Sequence, residues 1–169
     1  MKIELKKVSV SLRRSEETLN FVADVYLNGK KVATADNDGR GGETCIRPYT
    51  DYKDINILSG MVEYCKTLPH AEYRYDGKTL SYEVTLPVYI DQLVEEYLKA
   101  KDLENSFKKG IVYIDPNQKG ERILEWKGKK LKDMLSTPLS RIIVKGALDT
   151  LKARGCTVLN TNIPKEVYS

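Results

Sequence analysis

Apolar and polar residues alternate over positions 3 to 12, ending in Val8-Ser9-Val10-Ser11-Leu12, and a period of two predicts a half-buried strand. The same period returns at Phe21, Ala23, Val25 and Leu27. Asn28-Gly29 then supplies the residue types that tolerate positive φ in a tight hairpin turn, and Val32 to Ala35 leads the chain back. From Asp51 to about Leu68 the period changes. Ile55, Leu58, Met61, Val62 and Cys65 recur at spacings of three and four, which puts them on one face of a helix that Pro69 ends. A second hairpin is expected around Asp76-Gly77, between Tyr73 to Tyr75 and the β-prone run Leu80 to Leu86.

Past Pro87, Ile90, Leu93, Val94, Tyr97 and Leu98 form a helical stripe, with Glu95, Glu96, Lys99 and Lys101 off it. The short run Ile111-Val112-Tyr113-Ile114 reads as a strand, turned by Asp115-Pro116-Asn117 and Lys119-Gly120 toward Arg122 to Trp126. Leu131, Met134 and Leu135 suit a short helix. Thr137-Pro138 reads as an N-cap with proline at the first helical position, opening a last helix that carries Ile142, Ile143, Ala147, Leu148 and Leu151. Gly155 closes that helix, and Cys156 to Leu159 can add a terminal strand. Strands and helices arrive in blocks, which predicts the α+β class: a mainly antiparallel sheet with three to four helices packed on it. No repeat or linker interrupts the chain, so residues 1–169 are expected to form a single domain.

Composition narrows the classes of function. Hydrophobic residues make up 41% of the chain and charged residues 31%, the balance of a folded protein and not of a disordered one. Three cysteines, Cys45, Cys65 and Cys156, lie far apart with no CxxC pair, so neither a disulfide framework nor a Cys-rich zinc site is expected. The charged N-terminus, Met1-Lys2-Ile3-Glu4, lacks the apolar run of a signal peptide, and no stretch of about 18 apolar residues occurs; the expectation is a cytoplasmic protein outside the membrane. A net charge of +4 from 28 basic and 24 acidic residues is too mild to point to nucleic acid. The basic cluster Lys127, Lys129, Lys130 and Lys132 could meet phosphates, but such a cluster is more often a solvated turn and first helical turn.

Candidate chemistry is sparse. The lone histidine, His70, follows Pro69 in an expected loop, which leaves one possible base for any nucleophile pair. Asn37-Asp38-Gly39-Arg40-Gly41-Gly42-Glu43-Thr44 is the segment that regular structure accommodates least. Clustered glycines let successive N–H groups converge on an anion, and Arg40 and Arg47 could add forked donors to a phosphate. The candidate ligand-binding set is therefore Asn37, Asp38, Gly39, Arg40, Gly41, Gly42, Thr44 and Arg47, with Tyr26, Tyr49 and Tyr52 as stacking candidates. The same glycines also fit a β-bulge or a long hairpin loop. No cofactor or metal is called for, and the chain is read as a binding protein ahead of an enzyme. Against that stands the D-x9-E-x-K arrangement of Asp115, Glu125 and Lys127, which resembles the two acids and lysine of PD-(D/E)xK nucleases, where the carboxylates hold Mg²⁺ and the lysine serves the attacking water. It departs from that pattern in placing Asp115 at the end of a strand, before Pro-Asn.

Taken together, Ser15-Glu16-Glu17-Thr18, Phe21, Ala23, Asn28-Gly29-Lys30 and Asn37-Asp38-Gly39-Arg40-Gly41-Gly42 resemble a pattern of small, uncharacterised phage and prophage proteins. Trp126 and Leu159-Asn160, within 110–164, extend the likeness to about half the chain. The resemblance implies an accessory phage protein in the bacterial cytoplasm, in a setting where non-enzymatic inhibitors and sponges of host defence are common. The expected partner is a small nucleotide-like immune signal, or alternatively a host defence protein bound directly; assembly of identical copies is compatible with either.

Overall fold

The computed structural model describes residues 1–49 and 51–168, the side chains of 51–55 excepted. The protein is α+β, with nine strands and four α-helices among the described residues, and all its sheet pairings are antiparallel. Among the described residues no helix is long and apolar enough to cross a membrane. The chain divides into two compact units, Met1–Leu98 and Lys99–Ser169, the division falling within the second α-helix.

Unit 1 is built on a four-stranded meander of β1 (Ile3–Val10), β2 (Phe21–Leu27), β3 (Lys30–Asn37) and β4 (Cys45–Pro48), in that order across the sheet. Asn28 (φ 48°) and Gly29 (φ 85°) make the turn between β2 and β3, the left-handed conformation that the Asn-Gly pair predicts. Phe21, Ala23 and Val25 point to one side and pack with Ile3, Val32, Ala33 and Ala35. Met61 and Cys65 of α1 (Asp51–Lys66) and Leu86, Ile90 and Val94 of α2 (Leu86–Lys109) complete this core. A β-branched and aromatic sheet face covered by helical stripes is the arrangement the two periodicities require. Burial also raises the pKa of the Cys65 thiol and keeps it protonated. Between the helices, β5 (Ala71–Tyr75) and β6 (Lys78–Tyr82) pair as a separate hairpin, shorter than the run to Leu86, because Leu86 and Pro87 already belong to α2.

Unit 2 packs α3 (Leu131–Met134) and α4 (Pro138–Ala153) on a three-stranded sheet in which β7 (Ile111–Ile114) lies between β8 (Glu121–Leu124) and β9 (Thr157–Val158). Thr137 caps α4 by accepting from the Ser140 amide at 3.2 Å, and Gly155 takes positive φ just past its end, both as the sequence predicts. The core joins Ile111, Leu131, Met134, Val144, Leu148, Leu151, Ile163 and Val167. Buried Asn160 holds the β7 backbone, accepting from the Val112 amide at 2.6 Å and donating to the Gly110 carbonyl at 3.1 Å. Ile142 and Ile143 of α4 are not core residues. They are 67% and 50% exposed, and Val144 takes the inward position.

Candidate functional site

The glycine segment forms the connection from β3 to β4, and Asn37 organises it. Its side-chain oxygen accepts from the Thr18 hydroxyl at 2.8 Å and the Gly39 amide at 2.9 Å, while its amide nitrogen donates to the Gly42 carbonyl at 2.9 Å and the Thr44 hydroxyl at 3.2 Å. All the bonding capacity of a buried amide is thereby used, which is what burial at 6% exposure demands. The Arg40 amide donates to the Asp38 carboxylate and the Gly41 amide to the Thr18 hydroxyl. These backbone donors, which an anion-binding concavity would use, thus have side-chain partners of the protein itself.

Turned the other way, the Gly39 carbonyl accepts from the amides of Glu16, Glu17 and Thr18 at 2.9, 3.0 and 3.3 Å. Three successive amides converging on one oxygen form the concavity in the 15–18 segment, with the glycine loop as its occupant. Gly39 is obligatory for this approach. Its φ is +85°, and a Cβ there would stand 2.2 Å from the Arg14 carbonyl oxygen. The two halves of the Ser15-Glu16-Glu17-Thr18 and Asn37–Gly42 pattern are therefore one hydrogen-bonded unit. Asn20 extends it by donating to the Asn37 carbonyl at 3.2 Å, and its amide donates to the Ser15 hydroxyl at 2.9 Å.

Two clefts flank this unit. The first, of about 500 Å³, is lined by Arg13, Arg14, Glu16, Asn20, Asp38 and Arg40. Arg13 and Arg14 come from a 3-10 turn (Leu12–Arg14) that follows β1, and the contact of Gly39 with Arg14 brings that turn against the loop carrying Arg40. Three exposed guanidinium groups outnumber the two carboxylates, Glu16 and Asp38, that share this cleft, and their forked donors match phosphate oxygens. The second cleft, of about 460 Å³, has the opposite character: Glu16, Glu17, Asp91 and Glu95 stand around Leu19, Phe21 and Val94. Asp91 accepts from the Thr44 hydroxyl at 2.5 Å. Burial raises its pKa, and Glu95 and Glu43 add to the rise while the Thr44 hydrogen bond opposes it. Among the described residues no three His, Cys, Asp or Glu side chains are placed to hold a metal ion.

The remaining sequence candidates lie elsewhere or are engaged. Arg47 sits on β4 and forms an ion pair with Asp36 of the neighbouring strand. Thr44 and Asn37 are buried and act as supports for the loop, whereas Asp38 and Arg40 are exposed and line the first cleft. Tyr26 and Tyr49 carry the ammonium groups of Lys6 and Lys31 over their rings at 4.2 and 4.3 Å. Tyr52 lies outside the described side chains, as does Ile55 of the predicted helix face. His70 is exposed between α1 and β5. Sequence reasoning missed Arg13 and Arg14. Their signal was a paired basic dipeptide directly after a strand, and only the close approach at Gly39 connects it to Arg40.

The acid, acid and lysine set is not gathered. Asp115 is buried, accepts from the Asn117 amide at 2.9 Å and is paired with Arg154 at 2.5 Å. The Asn117 hydrogen bond, followed by the Arg154 charge, lowers its pKa against the effect of burial. Because Ile111 pairs with Leu124 and Ile114 with Glu121, Asp115 and Glu125 lie at opposite ends of the β7–β8 hairpin. At about 3.3 Å per residue they stand roughly 16 Å apart along the strands, too far to share one Mg²⁺. The lysines at 127, 129, 130 and 132 are exposed around the turn into α3. Comparison with protein-family models, with curated proteins and with solved structures finds no match to this chain.

Proposed function

We propose that this is a non-enzymatic phage accessory protein of the bacterial cytoplasm, which sequesters a nucleotide-type immune signal by binding its phosphates in the arginine cleft of unit 1. The observation that carries this reading is the gathering of Arg13, Arg14 and Arg40 around one cleft of about 500 Å³, a volume in the range of small-molecule sites. Guanidinium forks suit adjacent phosphates, and Asp38 and Asn20 in the same cleft offer acceptors and donors to a ribose hydroxyl or a base edge. On this reading the glycine loop works as a scaffold. Its backbone ties Arg40 to the segment carrying Arg13 and Arg14, and its side-chain supports, Asn37 and Thr44, stay out of contact with ligand.

The test is thermal unfolding of the full chain against cyclic oligonucleotides, ADP-ribose derivatives and mononucleotides, without added metal. A ligand at about a hundred times its dissociation constant adds roughly 2.7 kcal/mol and raises the midpoint by about 5 to 10 °C. Arg40→Ala is expected to abolish that shift, whereas Arg47→Ala, already paired with Asp36, leaves it intact. The recovered ligand should be chemically unchanged. No shift across the panel overturns the reading and leaves direct binding to a host defence protein, which a pull-down would detect.

A further inference from the structure

Helix α4 has apolar residues on two opposite sides, and the core of unit 2 uses only one of them. Val144, Leu148 and Leu151 point inward. On the far side Leu139, Ile142 and Ile143 are 74%, 67% and 50% exposed. By helical period Gly146, Thr150 and Ala153 continue that side. A helix apolar on both sides is ordinarily covered on both, and a contiguous exposed patch of this kind marks an interaction surface.

We propose that the covering surface is the same helix of a second copy, packed antiparallel about a two-fold axis that passes beside Gly146 and Ala147. Two features of the face argue for self-pairing. First, it is bulky in its N-terminal half and shallow in its C-terminal half, so a two-fold antiparallel arrangement lays the Leu139, Ile142 and Ile143 ridge of each copy over the Gly146, Thr150 and Ala153 trough of the other. A Cβ at Gly146 would meet nothing within 4 Å, so the trough is open in one copy. The Thr150 hydroxyl donates to the Gly146 carbonyl at 2.7 Å, so its polar atom is satisfied within the helix and its methyl can face the neighbour.

Second, the flank is charge-complementary to itself. Lys145 and Asp149 lie along one edge of the face, and two-fold antiparallel packing brings the Lys145 of each copy beside the Asp149 of the other. Within one helix a lysine four residues ahead of an acid is the less favourable order, and Lys145 also shares a cleft with Glu166 of its own copy, an acid the partner's lysine would approach as well. The face spans about 24 Å of helix, which places the dimer among the smaller, concentration-dependent interfaces. This surface belongs to unit 2 and does not depend on any ligand in unit 1.

Sedimentation of the full chain over a concentration series tests the proposal. The wild-type protein is expected to pass from a 19.2 kDa monomer to a dimer as concentration rises. Lys145→Asp and Asp149→Lys substitute side chains outside the core, so circular dichroism should show both variants folded. Each alone sets like charges against each other and is expected to stay monomeric, while an equimolar mixture restores opposite pairs and hence the dimer. A wild type that remains monomeric, with the face binding only a different protein, overturns the proposal. So does a dimer that both single variants leave unchanged, or a mixture that fails to associate.

Discussion

The Asn37 side chain joins the 15–18 segment to the glycine loop by using both ends of its amide, and neither end faces bulk water. Removing it strips partners from the Thr18 hydroxyl, the Gly39 amide and the Gly42 carbonyl at once, and groups left unpaired in a buried place cost more than the bonds themselves contribute. Asn37→Ala is therefore expected to lower the unfolding free energy by about 2 to 4 kcal/mol, read by chemical denaturation. A change within about 0.5 kcal/mol would show that water replaces the amide, and that the loop is held by its own turns. Gly39 carries the complementary requirement. Asn37 supplies the bonds, and Gly39 supplies the close approach that lets Arg14 and Arg40 share a cleft.

Among the elements, the β2–β3 hairpin and the start of α4 were legible because a local pair of residues decides each: Asn28-Gly29 dictates positive φ, and Thr137-Pro138 dictates a capped beginning. The outward face of α4 was not legible. Leu139, Ile142, Ile143, Val144, Ala147, Leu148 and Leu151 surround the helix, so periodicity alone cannot select the buried side, and packing against Ile111 and Leu131 does so instead. The cleft was half legible for a similar reason. Glycines and Arg40 flagged the loop, but Arg13 and Arg14 reach it through a tertiary contact that no spacing encodes. The β5–β6 hairpin is another case where pairing outruns packing: Tyr73, Tyr75, Leu80 and Tyr82 are all exposed, and Tyr73 and Tyr82 meet edge to face. Two strands without a covered face hold marginally. Amide hydrogen exchange in Ala71–Tyr82 is expected to run faster than in β2, where Phe21, Ala23 and Val25 are buried. Equal protection would show that another molecule covers the hairpin in solution.

For the whole molecule, a net charge of +4 gives little long-range pull on an anion, so the proposed binding must rest on local charge. The arginines of the cleft are exposed, and their field is screened as the Debye length falls from about 30 Å at 0.01 M salt to about 3 Å at 1 M. Affinity for a phosphate-bearing ligand, measured by calorimetry across that range, is expected to fall with added salt; salt-independent binding would place the ligand away from Arg13, Arg14 and Arg40. The cationic and anionic clefts also share Glu16, so opposite charges are separated over a single short stretch of surface. Such a separation acts as a molecular dipole. An approaching anion with an extended body feels a torque before it makes contact, its charged end drawn toward the arginines and turned away from Glu17, Asp91 and Glu95, so that the encounter is already oriented when the first hydrogen bond forms.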